Sequence, residues 1–240
     1  MNQQTGHKLP SFFVTEPAPC PYLRGQMERK LFTHLAGEDA NALNNSLTHA
    51  GFRRSQTIAY RPACDNCSAC QSVRIVVPQF TPSKSFRRIL RRNSDLTAHH
   101  LAPQSSAEQF DLLNRYIQYR HAGGGMANMS QFDYAAMIEG TCVDTHLIEY
   151  RDRANRLKAC LLADRMQDGL SLVYSFFDPH DKSRSLGNYM ILERIRHAQN
   201  LRLAYLYLGY YIASSHKMAY KSKFTPMESL TVDGWQRLIA

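Results

Sequence analysis

Three of the chain's six cysteines fall within seven residues, in the stretch "YRPACDNCSACQSVRI" spanning 60–75, where Cys64, Cys67 and Cys70 recur at every third position. Two residues between successive cysteines give a tight turn that lets consecutive thiolates face one centre, as metal or iron–sulfur coordination requires. Three sulfurs leave such a set one ligand short. Cys20, in "PAPCPYL", is the expected fourth, and its following Pro21 matches the cysteine–proline step that completes the bacterial ferredoxin pattern. The surface pair His99 and His100 is the alternative source of that ligand. Zinc and an iron–sulfur cluster would use the same thiolates, and spacing does not separate them. Cys142 and Cys160 sit in apolar runs and are expected to be packed core thiols.

A second cluster is cationic. In "SKSFRRILRRNSDL", Lys84, Arg87, Arg88, Arg91 and Arg92 crowd one segment, and helical spacing sets Arg87 beside Arg91 and Arg88 beside Arg92. Like charges at that spacing oppose helix formation, so the helix gains from an anionic partner, while Phe86, Ile89 and Leu90 dock its other side. The formal net charge of +9 points the same way, towards a phosphate-rich polymer, and these five residues are the expected nucleic-acid contacts.

The elements that must position these groups follow from periodicity. The 240 residues are enough for two domains, with a cysteine-rich unit over 1–100 and a second unit over 105–240. In the first, 41–52 reads as a helix stopped by Gly51, and 72–80 as a strand ended at Pro78. The polar stretch 99–109 is the expected connector. In the second, "AEQFDLLNRYIQYRH" is helical, 123–127 is a glycine-rich loop, and a helix capped by Ser130 ends at Gly140. Strands at 145–152, 156–166 and 170–178 suit an antiparallel meander. A helix over 187–200 and a buried strand over 203–212 complete an α+β layer fold. No run approaches the length of a membrane span, and the first residues lack a basic segment followed by an apolar one, so a cytoplasmic protein with reduced thiols is expected.

The segment "VYSFFDPHDKSRSLGNYMILERIRHAQNLRLAYLYLGYYIASSHKMAYKSKFTPMESL", taken with "PCPYLRGQMERKLFTHL" and the cysteine run, resembles the aminoacyl-tRNA–protein transferase family. Within that family it is most similar to the short bacterial aspartate/glutamate leucyltransferases. The resemblance implies an acetyltransferase-like (GNAT) second domain and transfer of leucine from leucyl-tRNA to proteins beginning with Asp or Glu, marking them for degradation. In the arginine-transferring eukaryotic relatives a similar cysteine set binds an iron–sulfur cluster. This chain has "CPYL" where they carry a second cysteine, so Cys20 stands alone there. An arginine-transferring enzyme and a metal-containing nucleic-acid-binding module without catalysis are the competing readings.

An aminoacyl ester is already activated, so the reaction needs an amine held against a carbonyl, an outlet for its proton and stabilisation of the oxyanion. No cofactor is required for that chemistry. Tyr174, Ser175 and Asp178 end one strand and are expected to orient the amine, while Tyr210 and Tyr211, after Gly209 in a strand that splays, are expected to serve the donor. Lys217 and Lys221 are the expected readers of the acceptor carboxylate. Enzymes of the GNAT type that use coenzyme A bind its pyrophosphate at a glycine-rich helix start. Here "RSLGNY" supplies Arg184 and Gly187, but Tyr189 stands where a small residue belongs, which disfavours coenzyme A and favours a tRNA donor.

Overall fold

The computed structural model describes residues 10–120 and 125–238. In chain order its strands and helices are β1 (Phe13–Val14), β2 (Ala18–Pro19), β3 (Met27–Glu28), β4 (Lys30–His34), α1 (Ala40–His49), β5 (Arg53–Ser55), β6 (Ile58–Pro62), β7 (Gln71–Val76), α2 (Lys84–Arg92) and β8 (Thr97–Leu101). They continue with α3 (Ala107–Arg120), α4 (Gln131–Glu139), β9 (Thr145–Arg151), β10 (Leu157–Arg165), β11 (Gly169–Phe177), α5 (Leu186–Asn200), β12 (Tyr205–Tyr211), β13 (Met227–Thr231) and β14 (Gly234–Arg237).

The dominant element is an eight-stranded sheet in the order β14-β13-β7-β12-β11-β10-β9-β8. Its pairings are antiparallel except between β11 and β12, which run parallel. Alternation along the strands divides the core between two faces. Leu147, Cys160, Leu162 and Phe176 point towards Leu112, Leu113 and Tyr116 of α3 and Tyr134 and Ile138 of α4. Ile148, Tyr150, Ala159 and Leu161 point the other way, onto Leu186, Tyr189 and Met190 of α5. Phe86 of α2 joins α5 and β12 in a third cluster on that face.

Several boundaries follow from local chemistry. Gly51, at φ +85°, turns the chain after α1 as the sequence anticipates. The Ser130 hydroxyl accepts from Asp133 N and the Asp133 carboxylate accepts from Ser130 N, a reciprocal cap that starts α4. Ser83 caps α2 by accepting from Phe86 N.

Two expectations need correction. The stretch 99–109 is not simply a connector: His99, His100 and Leu101 lie in β8, which pairs with β9, and α3 begins at Ala107. Nor is the large sheet built from 105–240 alone, because β8 forms one edge of it and β7 lies between β12 and β13. Local composition gives no sign of this, since a strand's partners are set by the whole chain. The glycine-rich loop expected over 123–127 falls partly outside the described residues.

Of the remaining N-terminal strands, β2 and β3 pair with each other, and the other four form a sheet, β1-β4-β6-β5, packed with α1 over Leu35, Leu47, Phe52 and Ala59. A buried ion pair ties this unit to the large sheet. Arg54 on β5 meets Asp164 on β10 through Nε and Nη2, both at 2.6 Å, and each side chain is 1% exposed. Thr145 donates to the same carboxylate at 2.8 Å. Among the described residues no helix is long and apolar enough to cross a membrane.

Candidate active site

The parallel pairing of β11 with β12 lasts only three residues, Gly169–Tyr205 to Ser171–Tyr207, and then the strands part. Each carries an irregularity at the point of departure. Val173 is the extra residue in the β10–β11 register, and Leu208 is the extra residue in the β12–β7 register. A bulge removes its residue from the ladder and bends the strand, so carbonyls here lack strand partners. The two bulges confront each other, and between them opens a cavity of about 970 Å³.

Two cations close the floor of this gap. Arg53, from β5, sends Nη2 to the carbonyls of Leu172 (3.3 Å) and Val173 (3.1 Å) on β11. Lys221 sends Nζ to the carbonyls of Leu208 (2.9 Å) and Tyr210 (2.5 Å) on β12. Gly209 lies between those two carbonyls at φ +74°. A Cβ there would approach the Arg53 guanidinium carbon to 2.3 Å, so glycine is required both by the backbone and by the arginine. Lys221 is buried, and burial first, then the Arg53 charge, lower its pKa to about 7.

The cavity wall holds Tyr174, Ser175, Asp178, Gly187, Lys217 and Lys221 of the expected site. The Tyr174 hydroxyl contacts the Met126 sulfur at 3.5 Å, and burial raises its pKa, so it stays protonated. Asp178 accepts from Lys158 Nζ at 3.0 Å and from His180 N at 3.1 Å. Burial is the largest single influence and would raise its pKa, but the Lys158 bond, the His180 N–H and the nearby Lys158 and Arg115 charges together hold it below the ordinary value. Asp181 on the same rim is engaged by Arg184 at 3.0 Å. The rim carboxylates are thus paired, whereas Arg53, Arg120, Lys182, Lys217 and Lys221 have no ion pair to a described carboxylate, leaving the cavity electropositive.

Other expected residues lie elsewhere. Tyr210 faces away from the cavity, its hydroxyl bonded to the carbonyls of Tyr60 (3.0 Å) and Gly51 (3.1 Å), where it joins the two sheets. Tyr211 is buried in the apolar core. Being consecutive, the two tyrosines point to opposite faces of β12, Tyr210 onto the N-terminal sheet and Tyr211 into the core. Arg184 is held by Asp95 at 2.8 and 3.0 Å and does not line the cavity. The Tyr189 ring packs in the core against Tyr150, so the blockage expected at the start of α5 is not formed, and Gly187 lines the cavity there.

All five basic residues of α2 are exposed. The helix ends at the mouth of the cavity: Arg92 donates to the Ser183 carbonyl and Asn93 Nδ2 to the Arg184 carbonyl at 2.9 Å, in the loop that supplies Lys182 and Ser185 to the wall.

Cys20, Cys64, Cys67 and Cys70 line a second cavity, of about 280 Å³, which shares Tyr22 with the first. The donor types and their common placement fit a thiolate-bound metal or cluster, although among the described residues no three His, Cys, Asp or Glu side chains are gathered into a formed metal site. Burial first, then its three cysteine neighbours, push the Cys70 thiol up to about 11. This end of the chain also has its own apolar core around Leu35 and Phe52. His99 and His100 do not border this cavity; the His100 ring stacks on His197 at 4.5 Å. Cys160 is fully buried, and the half-buried Cys142 thiol contacts the Leu35 carbonyl at 3.0 Å.

Arg53 was not anticipated from the sequence. The available signal was Gly209, a bare position inside the bulky run "YLYLGYYI", which marks the close approach of another group without saying which.

Comparison with known proteins agrees with this layout. The C-terminal model of the arginine-tRNA-protein transferases matches residues 108–231, and the N-terminal model matches 18–88. An aspartate/glutamate leucyltransferase of Parvibaculum lavamentivorans is 53% identical over 98% of this chain and 98% of its own. One from Sinorhizobium medicae is 53% identical over 99% of this chain and 95% of its own. The chain belongs to the aspartate/glutamate leucyltransferase family. Among solved structures, L-PGS from Bacillus licheniformis superposes with a TM-score of 0.48 at 12% identity, covering 76% of this chain and 53% of that one. In this family member the cysteine pocket and the cavity between the parted strands share Tyr22, and the basic helix ends against the loop that borders the larger cavity.

Proposed function

We infer that this protein transfers leucine from leucyl-tRNA to the α-amino group of proteins beginning with Asp or Glu, and so marks them for degradation. The observation that carries the reading is the electropositive cavity where β11 and β12 part, bordered by the end of the basic α2. The tRNA lies along Lys84, Arg87, Arg88, Arg91 and Arg92, whose charges are exposed and free for phosphate. Its 3′ end enters the cavity past Lys182 and the start of α5, and a GNAT-like arrangement of parted strands holds the ester.

The neutral amine nitrogen attacks the leucyl carbonyl, the new N–C bond forms, the ester C–O bond breaks, and the proton given up by nitrogen is matched by the one that converts the departing tRNA 3′ oxygen to its hydroxyl. Holding both reactants in one enclosed site supplies most of the acceleration, since the ester is already activated. Asp178, kept ionised by its Lys158 and His180 contacts together, orients the acceptor's α-amino group, and protonated Tyr174 with Ser175 donates hydrogen bonds along the reaction path. Coenzyme A has no part in this reading; with Tyr189 packed away, the preference for tRNA rests on family membership and on α2.

Cys20, Cys64, Cys67 and Cys70 would hold a zinc ion or an iron–sulfur cluster, which when bound would cross-link the loop after β2 to the loop between β6 and β7. The deciding assay supplies labelled leucine and arginine, each as aminoacyl-tRNA, with peptides beginning with Asp, Glu or Ala. Leucine transfer confined to Asp and Glu is expected. Arginine transfer would replace the donor, and no transfer by metal-loaded protein would leave a binding module.

A further inference from the structure

Arg53 and Lys221 form an unusual pair. Both are held at Gly209, one against its Cα and the other on the carbonyls that flank it. They are close enough for the Arg53 charge to depress the lysine's proton affinity, and neither has a carboxylate partner among the described residues. Two like charges withdrawn from water into one place are costly, and an anion between them offsets that cost. Carbonyl oxygens satisfy only part of their donor capacity. Arg53 Nε and Nη1 have no hydrogen-bond acceptor among the described residues and are not sealed from solvent, so they remain available at the cavity.

We propose that Arg53 and Lys221 together form the subsite for the acceptor's side-chain carboxylate, making Arg53 the residue that restricts acceptors to acidic N-termini. This rests on the leucyl-transfer reading and specifies which groups within the cavity read the acceptor. Exposed Lys217 lines the same wall but is not fixed by any such bond, so it attracts acidic termini without discriminating among them. The carbonyls of Leu172, Val173, Leu208 and Tyr210 hold both cations in place before substrate arrives, so little side-chain entropy is lost on binding. An amide of the same shape, as in Asn or Gln, brings no charge to the pair, and its NH₂ group would face donors rather than acceptors.

The test compares leucine transfer to peptides beginning with Asp, Glu, Asn or Gln, by wild type and by Arg53→Met. Wild type is expected to prefer each acid over its amide by about 100-fold or more in kcat/KM. In Arg53→Met that preference falls by at least about tenfold through acceptor KM, with the KM for leucyl-tRNA unchanged. An unchanged preference overturns the proposal. A rise in the KM for leucyl-tRNA without loss of preference also overturns it, because the pair then holds a tRNA phosphate.

A measurement on unmodified protein guards against a variant that does not fold. In NMR spectra of ¹³C-lysine-labelled wild type, the Lys221 titration midpoint near 7 should rise by about one unit or more with a saturating Asp peptide, and not with the Asn peptide. Equal responses to the two peptides refute the subsite. Absence of leucine transfer by wild type would instead remove the functional reading, and peptide binding would still report on the pair.

Discussion

Gly209→Ala probes the junction on which the cavity depends. The new methyl group meets the Arg53 guanidinium at 2.3 Å from Cζ and Nη1 and 2.5 Å from Nε, and it also places alanine at φ +74°. The backbone term is about 1–2 kcal/mol for an L-residue held in the left-handed region. The guanidinium must move, which releases the bonds to Leu172 and Val173 and leaves two carbonyls of a bulged strand uncompensated, about 2–3 kcal/mol more. Together these give roughly 3–5 kcal/mol, or a fall in Tm of about 6–20 °C for a chain of this length. Thermal and urea unfolding of the four members of a double-mutant cycle separate the terms. With Arg53→Ala in place the methyl group has room, so Gly209→Ala should then cost only the backbone term. The expected coupling is about 2 kcal/mol. A coupling below about 0.5 kcal/mol would refute the claim that glycine is there for the arginine.

Asp164→Ala strands the buried Arg54 guanidinium and should cost about 3–5 kcal/mol in unfolding free energy; a loss under about 1 kcal/mol would deny that this pair joins the two sheets. Lys221 gives a pH signature. Its proton is held up to about 10.5 in the unfolded chain but only to about 7 when folded, so the unfolded state binds more protons between those values and stability rises with pH across them. Below about pH 7 the penalty is constant. Lys221→Met should remove up to about 1.4 kcal/mol per pH unit from the slope of unfolding free energy over that window, and identical slopes would contradict the assignment. Replacing Arg87, Arg88 and Arg91 by Glu should raise the KM for leucyl-tRNA by about tenfold or more and flatten its salt dependence while the peptide KM holds; an unchanged salt dependence places the tRNA elsewhere.

Much of this protein is decided within short stretches. Gly51 ends α1, Ser130 and Gly140 bound α4, and short apolar runs separated by turns define β9, β10 and β11, because capping and turn chemistry depend on neighbours in sequence. The exposed cationic face of α2 and the buried state of Cys160 are legible for the same reason. The long motifs shared with relatives extend that legibility to the family.

The functional cavity depends on long-range structure. Arg53 reaches Gly209 across 155 intervening positions, and no periodicity links them. The run around Gly209 marks Tyr210 and Tyr211 as donor-site residues, but their faces are set by what packs on β12: the Tyr60 and Gly51 carbonyls for one, the apolar core for the other. Its place in "HKMAYK" marks Lys221 as a reader of the acceptor carboxylate, but its burial emerges only when β12 supplies the carbonyls that hold it. Local sequence fixes where strands and helices form; strand partners, bulge positions and the proton affinity of a buried amine emerge only when distant segments pack together and exclude water.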